Sequence, residues 1–144
     1  MRIWGPRSQR VRAQLVPELQ EIVDFILNEV ADVSLICGHR TEAEQNVLYP
    51  KYTKVRWPNG KHNSYPSTAV DLQPFPYPQD ERKLVKQLAY IAGRVVEYGK
   101  SRHLDVRWGG DWDQDGDTND QTFNDLFHFE VRTHDPKEIH SSQP

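Results

Sequence analysis

Residues 61–78 read Lys-His-Asn-Ser-Tyr-Pro-Ser-Thr-Ala-Val-Asp-Leu-Gln-Pro-Phe-Pro-Tyr-Pro. Ala69-Val-Asp-Leu-Gln73 alternates as a half-buried strand does, and the prolines at 74, 76 and 78 close it. The stretch before it, 50–66, is rich in Pro, Asn, Gly and Lys and reads as a long loop, a feature that in a small domain usually serves function. On one side of this unit, Leu15, Leu19, Ile22, Val23, Ile26, Leu27 and Val30 recur at helical spacing, predicting an amphipathic helix over 16–30 with Pro17 in its first turn. On the other, Leu84, Val85, Leu88, Ile91, Ala92, Val95 and Val96 predict a second long helix, capped by Asp80 and ending before Gly99. Val33–Cys37, Leu104–Trp108 and Phe127–Val131 are short and apolar or alternating, so each reads as a strand. Thr41-Glu-Ala-Glu44 has the form of a capping box opening a short helix to about Tyr49. The expected fold is α+β: a mostly antiparallel sheet, two long helices and long active-site loops.

The chain has 144 residues, which predicts a single compact domain over 1–144 with its core at about 15–132. Residues 1–14, basic at Arg2, Arg7, Arg10 and Arg12, read as an irregular, flexible arm, and the tail after Arg132 reads as frayed. Eighteen Lys and Arg against 21 Asp and Glu give a net charge of −3, which argues against a nucleic-acid or anionic-membrane binder. Cys37 is the single cysteine, so no intrachain disulfide forms. No apolar run approaches the ~20 residues that span a bilayer, and Met-Arg-Ile-Trp-Gly-Pro-Arg at the start lacks the apolar core of a signal peptide. These features predict a soluble, cytoplasmic product.

Of six histidines, two keep unusual company. His62 stands where the long loop runs towards Asp71, and His128 is flanked by Phe127 and Phe129, with Asp125 three residues earlier. On a strand the phenylalanines face one way while His128 and Glu130 face the other. A catalytic zinc takes three protein ligands and leaves one position for water, and His62, Asp71 and His128 would supply two imidazoles and a carboxylate. A further carboxylate must carry the proton, and Asp125 in Asp-x-x-His can reach the same place. From spacing alone the other reading stays open, with His62 an ordinary loop residue and His128 a hydrogen-bonded core histidine.

Four blocks in order carry a resemblance: Gly38-His-Arg-Thr-Glu-Ala-Glu-Gln45, residues 61–76, Trp108-Gly-Gly-Asp-Trp-Asp113, and Asp125-Leu-Phe-His-Phe-Glu130. Together they resemble the zinc D-alanyl-D-alanine carboxypeptidase and L-alanyl-D-glutamate endopeptidase family, small phage endolysins most of all. The resemblance spans about residues 15–132. It implies His62, Asp71 and His128 as zinc ligands, Asp125 as the catalytic carboxylate, and Arg40 as the residue that binds substrate and steadies the oxyanion, with Gln45 as a further substrate contact. The sequence departs from the family where Gly60 replaces a common serine before the histidine, and where nine positions, more than in many members, separate His62 from Asp71.

The resemblance thus implies a zinc hydrolase acting on bacterial peptidoglycan stems, preferentially at L-alanyl-D-glutamate. The alternatives are a D-alanyl-D-alanine carboxypeptidase or dipeptidase and a non-catalytic metal-binding module on the same scaffold. A monomer is expected, held in the host cytoplasm until a separate membrane-permeabilising protein gives it access to the wall. Arg40 has its own case as a fixed, paired donor for a carboxylate, against an ordinary ion pair with Glu42 or Glu44. His39 reads as structural. Glu130 is placed to orient His128, and it is also the second candidate for general base. Trp112 and Trp108 are candidates for the cleft wall, with core packing the competing role. Asp111, Asp113, Asp115 and Asp117 follow the first half of a calcium-loop pattern, but Thr122 stands where the bidentate glutamate belongs. Calcium and a turn shaped by Asp and Gly are the two readings of that loop.

Overall fold

The computed structural model describes residues 1–132, so the expected frayed tail, with His134 and His140, lies outside the described residues. Helix α1 covers Pro6–Arg12, and α2 covers Pro17–Phe25 and continues as a π-helical turn, Ile26–Val30. Strand β1 is Val33–Cys37, α3 Glu42–Leu48, β2 Ala69–Pro74, α4 Glu81–Ser101, β3 Val106–Trp108 and β4 His128–Val131. The strands form one antiparallel sheet in the order β1-β2-β4-β3.

Alternation sorts the sheet into two faces. Leu35, Val70, Leu72, Phe129 and Trp108 point to one side and pack on Leu19, Ile22, Val23 and Ile26 of α2 and its π-helical turn and Leu88, Ile91 and Val95 of α4. Each such buried side chain contributes about 1.5–3 kcal/mol by leaving water. The opposite face carries Asp71, His128 and Glu130, the polar members of the same strands. The expected α+β architecture with two long helices is therefore the observed one.

Three local expectations are corrected. The N-terminal segment is not irregular: α1 lies along the free edge of β1, where the buried Ser8 hydroxyl accepts the Leu35 N–H at 3.0 Å and Arg7 donates to the Ile36 carbonyl at 3.3 Å. An edge strand with unpaired backbone groups gains partners this way. Gly99 lies inside α4, and its missing side chain admits β3: a Cβ there would meet Val106 Cγ2 at 2.7 Å. The third strand begins at Val106 and not at Leu104, because the Leu104 N–H closes the end of α4 on the Gly99 carbonyl at 2.8 Å.

Candidate active site

The site is built on one row across the sheet. Cys37 of β1, Asp71 of β2 and His128 of β4 are cross-strand partners. A bulge between Leu35 and Cys37 inserts one extra residue, which turns Cys37 from the core face, where Leu35 lies, to the face of Asp71. Late in the long loop stands His62, whose carbonyl accepts the Arg40 N–H at 2.7 Å, so that His62 and Arg40 are fixed together.

Two hydrogen bonds decide which ring nitrogens are free. His62 Nδ1 donates to the Gly38 carbonyl at 2.7 Å, leaving Nε2 turned to Asp71. His128 Nε2 donates to Glu130 Oε1 at 2.9 Å, leaving Nδ1 turned to the same carboxylate. The free nitrogens lie 3.4 Å and 3.5 Å from Asp71 Oδ1. That oxygen is buried and has no hydrogen-bond partner. A buried acceptor left this way is costly unless a cation or donor fills the gap. Two ligands at about 2.0–2.1 Å from a tetrahedral zinc stand about 3.3–3.4 Å apart, and each of the two nitrogen–Oδ1 distances matches that spacing.

The electrostatics of the metal-free site follow from its burial. Desolvation alone would lower His62, but the nearby Asp71 carboxylate and Cys37 sulfur outweigh it and raise the ring to about 10. Burial likewise pushes His128 down, while Asp71 and Glu130 together move it above its ordinary value. Burial also opposes ionisation of Asp71, yet the two imidazoles hold it well below the usual carboxylate range. Asp125 goes the other way: burial first, then the charge of Asp71, lifts its pKa. A carboxyl shifted upwards beside an anchored carboxylate has the division of roles that acid–base chemistry uses.

The supporting residues were only partly foreseen. Glu130 is 1% exposed, and its second oxygen takes Arg107 Nη2 at 3.1 Å. Held between His128 and Arg107, it has a hydrogen-bond partner on each carboxylate oxygen, the arrangement of a group that orients the His128 ring. Arg40 forms no ion pair with Glu42 or Glu44; Glu44 closes the capping box with Thr41, while Arg40 Nη2 lies 4.0 Å from Asp71 Oδ2. Gln45, expected to touch substrate, is 1% exposed and spends its amide on Arg40 Nη1 (3.1 Å), Asn63 Nδ2 (3.1 Å) and the Val55 carbonyl (2.6 Å). It holds Arg40 and does not reach the cleft. Trp112 lies beside His128, with ring centroids 5.3 Å apart, and beneath the Arg107 guanidinium at 5.3 Å. Trp108 is a core residue that stacks on Phe129, and His39 bonds the Ser64 carbonyl at 2.9 Å.

Cys37, Asn63 and Arg107 were missed. Cys37, His62 and Asp71 form one group able to hold a metal, and Asp71, Asp125 and His128 form another. Cys37 Sγ sits 3.8 Å from His62 Nδ1, the nitrogen already committed to Gly38, and the two imidazoles fall in separate groups that share Asp71. In the acidic loop, Asp111, Asp113 and Asp115 bring carboxylate oxygens within 4.8 Å of one another, and Asp117 is not part of that group. Backbone N–H groups of Gly116, Asp117 and Asn119 bond Asp111, Asp115 and Asp117 at 2.8–2.9 Å, the pattern of Asp-shaped turns.

Two imidazoles around a buried carboxylate, with Arg40 beside it and a carboxyl of raised pKa in the same cluster, form a polar site able to hold a metal. The chain belongs to the phage L-alanyl-D-glutamate peptidase family, whose sequence profile matches residues 3–131. It is therefore a peptidase of that family, and the carboxypeptidase alternative gains no support. Among solved structures, the L-Ala D-Glu endopeptidase ChiX of Serratia marcescens is similar in fold, with a TM-score of 0.69 and 21% identity over 90% of this chain and 89% of that one. No match occurs among curated protein sequences. Among the described residues, no helix is long and apolar enough to cross a membrane.

Proposed function

We propose that the protein is a zinc peptidase of the endolysin type, cutting the L-alanyl-D-glutamate bond of bacterial peptidoglycan stems. His62 Nε2, Asp71 Oδ1 and His128 Nδ1 would hold the zinc. The observation that carries this is the buried, unpartnered Asp71 oxygen with an imidazole nitrogen on either side at 3.4 and 3.5 Å. When bound there, zinc supplies a Lewis acid that lowers the pKa of water.

The rest is performed by the chain. Asp125 takes the proton of the attacking water and returns it to the leaving amine nitrogen, a transfer its raised pKa favours. Arg40 offers its guanidinium to the developing negative charge; Gln45 keeps that group from swinging away, and Asn63 holds the Arg40 main-chain carbonyl. Glu130 and Arg107 keep the His128 ring in one orientation. Trp112 walls the cleft next to that ring. The proposal extends to a monomer that starts in the host cytoplasm and reaches the wall through a separate permeabilising protein. It also includes calcium in the acidic loop, which a calcium titration followed by Trp112 fluorescence tests.

The test is mass spectrometry of purified peptidoglycan after digestion, with and without a zinc chelator. Chelator-sensitive stems that begin at glutamate are expected. Release of free D-alanine, or no chelator-sensitive product, overturns the reading.

A further inference from the structure

Charge is divided between the two loops that lead into the site. From 46 to 70 the chain holds Lys51, Lys54, Arg56 and Lys61 and no carboxylate, so the remainder has 14 basic against 21 acidic residues. From 109 to 125 it holds six aspartates and no Lys or Arg. Arg12, Arg40, Arg102, Arg107 and Arg132 are each engaged by a carboxylate. Among the described residues, none of the four cations of the 46–70 stretch forms an ion pair, although Lys61 acts on Glu130 at longer range, and all four are exposed. Unneutralised like charges in one short loop repel one another and weaken the fold unless an anion is to be met there.

The same loop is anchored at the site and open elsewhere. Gln45, which grips Arg40, also bonds the Val55 carbonyl, and Lys61 directly precedes His62. Between Gln45 and Lys61, Tyr52 is 71% exposed and the Arg56 guanidinium lies 5.0 Å over the Tyr49 ring, and just beyond His62 Tyr65 is 69% exposed. The surface that continues from Arg40 is thus cationic and aromatic, suited to an extended acidic peptide.

We propose that the 49–61 loop is a subsite for the carboxylates of the acidic stem peptide beyond the scissile bond, selecting stems with free carboxylates over amidated ones. The inference rests on the peptidase reading above and names a specificity that reading leaves open. Each exposed contact is weak and screened by salt, so the effect falls on KM and grows as salt is lowered.

The test uses two soluble stem peptides, one with free carboxylates and one with the same groups amidated, and the zinc-loaded full chain. For the parent, amidation raises KM about 2- to 10-fold at low salt, the range two exposed ion pairs support. Lys51→Glu/Lys54→Glu should raise KM for the acidic peptide and abolish the difference between the two, with Lys51→Gln/Lys54→Gln intermediate. Equal KM values for both peptides in the parent overturn the proposal, as does full discrimination in the charge-reversed variant. Discrimination seen only between sacculi with and without their phosphodiester polymers overturns it too, and assigns the loop to phosphate. Cleavage of neither peptide overturns the peptidase reading itself, and the loop assignment falls with it.

Discussion

Gly109 offers the sharpest test of how Asp125 is placed. Its carbonyl accepts the Asp125 N–H at 2.9 Å and its N–H donates to the His128 carbonyl at 2.9 Å, so this one residue clasps both ends of the turn that presents acid and imidazole. A Cβ at this position would stand 2.0 Å from the Asp125 carbonyl oxygen and 2.9 Å from its carbon. Since such contacts are essentially never closer than 3.0 Å, Gly109→Ala must part the two backbones by about 1 Å. Backbone cannot rotate away as the tip of a side chain does, so the shift passes to Asp125. A displacement of about 1 Å in a catalytic group costs about 10²-fold in turnover. We expect kcat on a soluble L-alanyl-D-glutamate peptide to fall by about that factor, with a loss of about 1–3 kcal/mol in stability from the forced contact. Gly93→Ala is the control: it lies in α4 with nothing within 4 Å of its would-be Cβ, so the exchange should add about 0.5–1 kcal/mol and leave kcat alone. Zinc content and thermal melting accompany the kinetics. A folded, zinc-loaded Gly109→Ala with kcat within about three-fold of the parent refutes the argument that this clasp sets the position of a catalytic carboxyl.

Other perturbations separate the roles further. Asp125→Ala should keep zinc, measured by atomic absorption, and lose about 10²–10⁴ in kcat, whereas His128→Ala should lose both metal and turnover. Near-normal kcat in Asp125→Ala would remove Asp125 from proton transfer. Glu130→Gln should weaken zinc about 10- to 100-fold in chelator competition while the fold persists, because His128 loses its charged acceptor. Unchanged affinity would make Glu130 a packing residue. In the metal-free protein His62 is raised from 6.5 to about 10, so the stability it contributes is complete below about pH 6.5 and is lost as pH rises towards 10. Asp71 is depressed, so its contribution is present above its ordinary 3.8 and lost as acid protonates it through its lower folded value. Melts of chelator-treated protein should therefore fall between pH 7 and 10, while zinc affinity, which requires the His62 proton to leave, rises over the same range. A melting temperature that climbs with pH there would contradict the assigned pairing.

How far the sequence could be read depends on what each residue's neighbours along the chain reveal. The long helices and β2 were legible because their apolar positions repeat at 3.6 or 2 residues over many positions, and that repeat is the core contact itself. Helix α1 was not: four arginines dominate residues 1–14 and only Ser8 and Val11 are buried, too few to show a period. Gln45 was misread for a related cause, since a polar residue on a short capped helix gives no sign that its amide is enclosed by Arg40, Asn63 and Val55.

The metal-site residues divide in the same way. His62, Asp71 and His128 sit in blocks whose local company is distinctive, and the structure brings them together around one oxygen. Cys37 joins them only through the bulge that turns it to the site face, and a bulge belongs to two strands at once, so no single segment records it. Arg107 is the instructive case, because its signal was present. Val106 and Trp108 flank it as Phe127 and Phe129 flank His128, which assigns both polar residues to the polar faces of their strands. What alternation does not supply is register, and here register pairs Arg107 with Glu130 and Asp71 with His128. A one-residue slip of β3 would set Val106 or Trp108 against Glu130 and leave a carboxylate buried without its cation. The ion pair that steadies His128 and the hydrophobic register that packs Trp108 on Phe129 therefore favour the same alignment, and the site inherits its geometry from the core beneath it.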